Sequence, residues 1–167
     1  SIENVGFGTV TKLALKFTDQ FWEDDVQYYY TVTKETGRWP VWMNYRTFSK
    51  EKILLGLCMG DYAKKADLMS KEALTEDGLK ILKNVWEDDV GEVQNILRTS
   101  WLNDPFTKGA YSFPRVDNSE KDFENLAEPI DNKLFFCGEH TNLEYLATTH
   151  GALFTGIKAA KEVIKAT

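Results

Sequence analysis

The residues from Thr9 to Phe17, near the start of the chain, follow an alternating pattern with two sides. Leu13 and Leu15 fall on one side of this alternation, and Lys12 falls on the other. A repeat of two is the period of a β-strand with one buried face, so the segment is predicted to be a strand. Further runs rich in apolar, aromatic or β-branched residues predict strands at 28–33, 41–48, 53–59 and 93–101. Their close spacing indicates an antiparallel sheet.

Helical periodicity follows the predicted sheet. Ser70 is a typical N-cap residue, and apolar positions three and four apart continue from it to about Trp86, which predicts an amphipathic helix. Gly78 weakens this helix and leaves open its division into two shorter ones. Ser119 together with Asp122 has the form of a capping box and predicts a short helix over 119–127.

The most informative stretch begins with the short apolar run Leu134–Cys137, which predicts a buried strand. Gly138 then permits a sharp turn and a close approach of the backbone to a ligand. A helical pattern begins near Thr148 and carries one apolar stripe, made of Leu153, Ile157, Ala160 and Ile164. A strand, a glycine turn, an acidic residue and a helix amino end form a layout suited to a nucleotide-type cofactor.

Composition narrows the class of protein. The 167 residues suffice for one domain with a sizeable core or for parts of two, and 43% hydrophobic residues indicate a folded chain. A formal charge of −6 argues against electrostatic binding to nucleic acid. Since no apolar run reaches membrane-spanning length and no signal-peptide pattern is seen, an intracellular location is expected, cytoplasmic or nuclear. Cys58 and Cys137 lie in apolar runs, which predicts buried thiols and no disulfide.

Several separated motifs resemble one family in the same order. The runs FFCGEHT and THGALFTGIKAA are similar to the C-terminal signature of the flavin-containing amine oxidases, which include polyamine oxidases, monoamine oxidases and lysine-specific histone demethylases. The run GFGTVTKLALKF and the pair W-x-x-D-P and G-x-Y-S, from Trp101 to Ser112, also match. The resemblance implies an α+β chain, with part of the substrate-binding domain at residues 1–100 and the C-terminal strand and helix of a Rossmann-like FAD-binding domain at 101–167.

A phosphate-binding glycine loop is missing from the sequence. The segment Gly6-Phe7-Gly8 lacks the third glycine of G-x-G-x-x-G and leads into a predicted strand, not a helix. If the resemblance holds, the chain is expected to be the C-terminal part of such an enzyme, inactive without an N-terminal FAD-binding half that could reside in a separate chain.

Three residues are the catalytic candidates that the resemblance implies. Lys12 matches the family lysine that holds a water against flavin N5, whereas its pattern alone fits a solvated lysine on a half-exposed strand. Trp101 would pack beside the isoalloxazine, and Tyr111 would form one wall of the slot through which the amine enters. The alternative for these aromatic residues is a loop packed on a core. Phe106 and Thr148 are further candidates for substrate binding.

The cofactor implied by the resemblance is FAD. Glu139, after Gly138, would accept hydrogen bonds from ribose or ribityl hydroxyl groups. Thr148, Thr149 and Ala152 would bring the amino end of the last helix to the flavin pyrimidine, where N–H groups stabilise negative charge. The chain's two histidines lack further ligands at a recognisable spacing, so no metal is predicted.

The expected reaction oxidises an amine to an imine, which water hydrolyses to an aldehyde, with O2 reduced to H2O2. A small polyamine is favoured as substrate because no partner-binding insertion is visible. A methyl-lysine peptide is the alternative, since Thr148 is the residue that the family's histone demethylases carry at this place. A hypothesis of a different class is a non-catalytic fragment. No direct binding to nucleic acid or membrane is expected.

Overall fold

The strands predicted from alternation pair as antiparallel sheets in the structure, a computed structural model that describes residues 2–166. The protein is α+β. Its strands are β1 (Gly6–Gly8), β2 (Val10–Phe17), β3 (Tyr28–Tyr30), β4 (Val41–Asn44), β5 (Ile53–Met59), β6 (Val93–Arg98) and β7 (Tyr111–Phe113). Its α-helices are α1 (Gly60–Leu68), α2 (Lys71–Trp86), α3 (Glu120–Ala127) and α4 (Thr149–Ala166). The chain divides into two compact units, the sheet unit, Thr9–Gly109, and the terminal unit, residues 2–8 and 110–166.

The sheet unit is built on five antiparallel strands in the order β3-β4-β5-β2-β6. The predicted alternation of β2 is confirmed, because Leu13 and Leu15 are buried while Lys12 is exposed. Lys12 pairs with Leu57 of β5, and Leu13 pairs with Arg98 of β6. This register places Lys12 near the end of β6.

Large aromatic side chains fill the core between the sheet and α2. Trp39 and Trp42 are fully buried, and their rings stack with centroids 5.2 Å apart. A Cβ atom at Gly56 would lie only 2.6 Å from the Trp42 ring, so the strand needs a glycine there to let the indole approach. Gly78 plays the same part in α2, where a Cβ would lie 3.0 Å from Leu13. The helix is continuous across Gly78, so the division that the sequence left open does not occur.

Sequence patterns did not indicate α1. Its nine residues include Lys64 and Lys65, and its buried side combines the small residues Ala63 and Ala66 with Tyr62 and Asp67. Small residues give a weak apolar signal, and they let the helix lie close to the sheet. Gly60 begins the helix at a φ of +58°, which a glycine adopts without strain.

The strand predicted at 41–48 ends early, at Asn44, and continues as a 3-10 helix over Tyr45–Thr47. Asn44 is fully buried, and its side chain makes several hydrogen bonds. Its Oδ1 accepts from Trp22 Nε1 at 2.9 Å and from the Arg46 N–H at 3.1 Å. The side chain therefore caps the turn, as asparagine often does.

The terminal unit combines a small ribbon with two helices. β1 and β7 pair as two antiparallel strands, with Gly6 opposite Phe113 and Gly8 opposite Tyr111. The predicted capping box of α3 is confirmed, since the Ser119 and Asp122 side chains both take part. The last helix, α4, begins at Thr149, one residue after the predicted start.

The prediction of a buried strand at Leu134–Cys137 is wrong for the described residues. This segment forms a single bridge, Ile130 with Leu134, which closes a tight turn through Asp131 and Asn132 at positive φ. Leu134 and Cys137 are exposed, because no other strand of the described chain runs beside the segment. The thiol of Cys137 is therefore not buried as predicted.

Cys58 and the apolar stripe of α4 differ in how far they are buried. Cys58 is free and buried, as expected, and burial raises the pKa of its thiol to about 12. The predicted apolar stripe of α4 is exposed: Leu153, Ile157, Ala160 and Ile164 face water, while Gly151, Thr155 and Ala159 are buried. Within residues 2–166, no helix combines the length and apolar character that a membrane span needs.

Candidate active site

Lys12 lies on the exposed side of β2, with its backbone fixed at the end of β6. Its N–H donates to Thr99 Oγ1 at 2.9 Å, and its carbonyl accepts from the Thr99 N–H at 3.0 Å. The side chain is thus displayed from a well-anchored strand, in contrast to the buried Leu13 beside it. The bonds to Thr99 fix the backbone from which the Lys12 side chain projects.

Trp101 begins the turn that leaves β6, and this turn is held by its own polar groups. The Thr107 hydroxyl donates to the Trp101 carbonyl at 2.8 Å. Asp104 Oδ1 accepts the N–H groups of Thr107 and Phe106, both at 2.9 Å, and these bonds lower the pKa of Asp104. Asp104 is therefore a loop-ordering residue. Trp101 is 44% exposed and Phe106 is 94% exposed, so both rings are available to a ligand.

Glu139 links two parts of the terminal unit. Its carboxylate accepts the Ser112 N–H at 2.9 Å and the Ser112 hydroxyl at 2.7 Å. The same carboxylate accepts the Ala147 N–H at 2.9 Å. Ser112 follows Tyr111 in β7, and Ala147 precedes the amino end of α4. One side chain therefore fixes the candidate aromatic wall relative to the helix amino end.

Thr148 caps α4. Its hydroxyl accepts the Gly151 N–H at 3.0 Å and donates to the Tyr145 carbonyl at 2.7 Å. The first N–H groups of a helix have no acceptor within the helix, so those of Thr149 and His150 point out of its amino end. A Cβ at Gly151 would lie 2.2 Å from the Tyr145 carbonyl, which explains the glycine at this place.

Gly138 makes the turn that the sequence predicted. Its φ is +145°, and a Cβ there would lie 2.5 Å from the His140 ring. The Gly138 N–H donates to Thr155 Oγ1 at 3.0 Å, and the Thr155 hydroxyl also lies 3.0 Å from the Gly138 carbonyl. The turn is thereby tied to the buried side of α4.

In the part of the chain that the structure describes, the histidines do not form a metal-binding cluster with acidic or thiol side chains. His150 packs edge-on against Tyr145, with ring centroids 4.7 Å apart, and also contacts Phe154. Across residues 2–166, no three side chains of His, Cys, Asp or Glu are grouped closely enough to hold a metal ion.

A hollow of about 750 Å³ opens on the terminal unit beside Glu139. Phe7, Leu126 and Phe136 give it an apolar lining, and Glu139 and His140 provide polar groups at its edge. Apolar walls with a few convergent polar groups are typical of cofactor and ligand sites.

The residues of the terminal unit fit one edge of a flavin. The uncapped N–H groups at the start of α4 suit an electron-rich carbonyl, and the short side chain of Ala152 leaves room beside them. Glu139 spends three acceptor positions on its own chain, and a carboxylate has about four, so one remains for a hydroxyl group.

The predicted site residues fall into two groups, one in each unit. The sheet unit holds Lys12, Trp101 and Phe106, and the Lys12 backbone is hydrogen-bonded to Thr99, two residues before Trp101. The terminal unit holds the others: Tyr111, Gly138, Glu139, Thr148, Thr149 and Ala152. Within this unit the Glu139 bridge brings them together. Sequence reasoning gave no role to Ser112, the partner of Glu139, or to the buried carboxylate of Asp67, because their contacts join residues far apart in the chain.

Comparison with known proteins gives these groups a family. The model of the flavin containing amine oxidoreductase family matches residues 1–164. Lysine-specific histone demethylase 1 homolog 2 of Oryza sativa subsp. japonica is 32% identical over 172 residues, which cover 99% of this chain and 22% of that protein. Protein FLOWERING LOCUS D of Arabidopsis thaliana is 33% identical over 166 residues, covering 95% of this chain and 21% of that protein.

A third relative shows the same proportions. Lysine-specific histone demethylase 1 homolog 2 of Arabidopsis thaliana is 30% identical over 170 residues, covering 98% of this chain and 23% of that protein. The chain thus spans about a fifth of the length of the curated relatives it matches. Since the family model covers nearly every residue, the chain belongs to the flavin containing amine oxidoreductase family.

Proposed function

We propose that this chain forms one side of the active site of an FAD-dependent amine oxidase. The observation that carries the proposal is the Glu139 bridge, because it fixes Tyr111 and the amino end of α4 to one carboxylate. When bound, FAD would supply a hydride acceptor for the carbon beside the amine and would return electrons to O2, giving H2O2.

The chain's own groups would bind and orient the reactants. The N–H groups at the start of α4 would stabilise negative charge on the cofactor ring, as helix amino ends do. The exposed ring of Tyr111 would guide the amine by its electron-rich face. Lys12 would hold a proton or a water molecule near the reacting atoms, and Trp101 would pack on the ring system.

Our first candidate for the substrate is a methylated lysine side chain, because two of the relatives are named lysine-specific histone demethylases. Thr148 supports the same choice, because the resemblance places threonine here in the family's histone demethylases. The hydroxyl of Thr148 also caps the helix, so the residue has a structural role as well.

A small polyamine is the second candidate, and it stays a prediction from the sequence. The observation that favours it is the acidic character of the chain, whose formal charge is −6. A polycation would gain from such a field.

The proposal is tested by flavin binding and a substrate panel. Purified protein is incubated with FAD, dialysed, and scanned for the flavin absorption band at about 450 nm. We then expect anaerobic addition of a dimethyl-lysine peptide to bleach this band, with H2O2 formed on admission of air. Spermine and an acetylated polyamine are run in parallel, and faster bleaching by either one would select the polyamine.

The second class of function is a non-catalytic fragment, supported by the short span of the chain relative to its relatives. Absence of retained flavin from this chain alone would favour it. If FAD is retained only after a Rossmann-type half is added as a second polypeptide, the chain is one half of a divided site. If neither preparation retains FAD, the proposal of amine oxidation is lost.

A further inference from the structure

A buried carboxylate lies at the carboxyl end of α1, where the helix dipole disfavours a negative charge. The Asp67 side chain is 1% exposed and occupies the last turn of that helix. Burial of a charge is costly, and the helix dipole repels an anion at this end. Helix stability alone would select against Asp67, so the bonds that it makes must compensate.

Three of those bonds reach the turn that carries Trp101. Asp67 Oδ2 accepts from Ser100 Oγ at 3.2 Å, from the Asn103 N–H at 3.1 Å and from Asn103 Nδ2 at 3.0 Å. A further bond joins Asn103 Nδ2 to the Asp67 carbonyl at 3.0 Å. Ser100 and Asn103 stand on either side of Trp101, so the carboxylate holds both ends of the exposed turn.

The other carboxylate oxygen faces the strand that carries Lys12. The Thr11 hydroxyl lies 3.3 Å from Asp67 Oδ1 and donates to the Ala63 carbonyl at 3.0 Å. Arg98 stands 3.8 Å from Oδ1 and donates to the Asp67 carbonyl at 2.8 Å. Thr11 directly precedes Lys12 in β2. Both catalytic candidates of the sheet unit therefore lie next to residues bonded to the same buried group.

We propose that Asp67 is a positioning residue, which sets Trp101 and Lys12 at a fixed separation for the amine-oxidising site. This inference rests on the proposed function, because a positioning role needs a site that uses Trp101 and Lys12. The contacts of Asp67 themselves all lie within the sheet unit. Three neutral hydrogen-bond donors converge on this side chain, which is 1% exposed, and the Thr11 hydroxyl and the Arg98 guanidinium group lie close to its other oxygen. Such an arrangement can hold the residues of a site in place.

Fluorine NMR of the chain labelled with 5-fluorotryptophan tests the geometry without any cofactor. The chain has five tryptophans, and Trp101→Phe assigns the resonance of interest. In Asp67→Asn we expect the Trp101 resonance to move or broaden, while those of the buried Trp22 and Trp42 stay in place. Asn103→Ala, which leaves the carboxylate intact and removes the side-chain donor, should have the same effect.

Asp61→Asn is the matched control, because Asp61 lies on the same helix but is exposed and pairs with Lys64. Its spectrum should equal that of the parent chain. An unmoved Trp101 resonance in both test variants would overturn the inference. If Asp67→Asn shifts all five resonances together through loss of fold, Asn103→Ala alone decides the matter.

A kinetic arm separates this inference from the proposed function. In flavin-loaded protein, Asp67→Asn should slow flavin reduction about tenfold or more with little change in KM, since small misplacement of catalytic groups has effects of this size. Unchanged reduction in a variant with a displaced Trp101 would refute the positioning role. A parent protein that retains no flavin would end the proposed function and leave the fluorine result standing.

Discussion

The exposed side chain of Lys12 is compatible with two roles, that of a solvated surface lysine and that of a catalytic residue. The structure confirms its place on the exposed side of β2, and the backbone bonds to Thr99 anchor it. Lys16 stands on the same side four residues later, where it pairs with Glu51. The two lysines therefore form a matched pair for testing chemistry on one strand.

If the proposed role is right, Lys12→Met should slow flavin reduction or reoxidation at least about tenfold in flavin-loaded protein, because the proposed site would lose a cation near the reacting atoms. Stopped-flow absorbance in anaerobic and aerated buffer measures the two half-reactions separately. Lys16→Met removes an equal charge from the same face and should leave both rates within roughly twofold of the parent, the scale of surface effects. Equal rates in all three proteins would return Lys12 to the role of a surface lysine.

Asp77 shows what an unbroken polar network does for stability. Its carboxylate accepts from Tyr62 at 2.5 Å and from Trp39 Nε1 at 2.7 Å, and it pairs with Arg38. Burial acts to raise the pKa of Asp77, but the hydrogen bonds from Tyr62, Arg38 and Trp39 outweigh it and the net shift is downward. The hydrogen bond that Arg38 donates to Asp77 raises the pKa of Arg38 in turn.

A carboxyl group with a lowered pKa in the folded state stabilises the fold when it is ionised. The contribution of Asp77 is therefore complete above its ordinary pKa of 3.8 and is lost as the pH falls further. Asp77→Asn should lower the free energy of unfolding by about 1–3 kcal/mol at pH 7. Urea titrations at pH 7, 5 and 3 should show this difference shrinking only at the lowest pH. A difference that grows on acidification would contradict the assignment.

Among the elements, α2 was the most predictable. Ser70 caps it as the sequence indicated, with its hydroxyl accepting the Ala73 N–H at 3.1 Å. The capping signal is local, since one side chain and a backbone group three residues away suffice to produce it. The same holds for the capping box of α3.

Ser70→Ala should lower the free energy of unfolding by about 1 kcal/mol, because the Ala73 N–H loses its acceptor. Ser70→Asp, which keeps a strong capping group, should stay close to the parent. Chemical denaturation followed by circular dichroism compares the two variants with the parent. Equal losses of stability in the alanine and aspartate variants would mean that the cap is not the source of the effect.

Elements that depend on distant partners were predicted less well. The segment Leu134–Cys137 has the composition of a buried strand, but a strand needs a neighbour, and within the described residues the structure supplies only the bridge to Ile130. Composition cannot reveal which neighbour is present. Likewise, α1 gave no apolar pattern because the sheet accepts it through small residues, and a packing choice of this kind is set by the opposing surface.

The candidate site followed the same division. The turn at Gly138 and the start of α4 could be predicted, since both arise from local backbone requirements. The Glu139 bridge to Ser112 and the Asp67 contacts to Asn103 could not, because they join residues 27 and 36 positions apart. Roles assigned through family resemblance remain predictions for the kinetic experiments.

At the scale of the whole molecule, the formal charge of −6 would attract a cationic substrate of the kind proposed above. We expect KM for a dimethyl-lysine peptide with flanking arginines to rise as salt increases, since salt screens long-range attraction over about 8–10 Å. Initial rates at about 20 and about 300 mM NaCl, which give weak and strong screening, provide the measurement. A peptide with neutral flanking residues serves as the control and should respond much less. Parallel responses of the two peptides would rule out steering by the protein's charge.

The aliphatic row along α4 has a practical outcome for anyone who prepares this chain. Burial of apolar surface contributes roughly 25 cal/mol per square ångström, so contact between two copies of the chain through Leu153, Ile157 and Ile164 would be favourable. We expect concentrated samples to associate reversibly, and analytical ultracentrifugation should then give an apparent mass that rises with protein concentration. The substitution Ile157→Glu would keep the molecules apart.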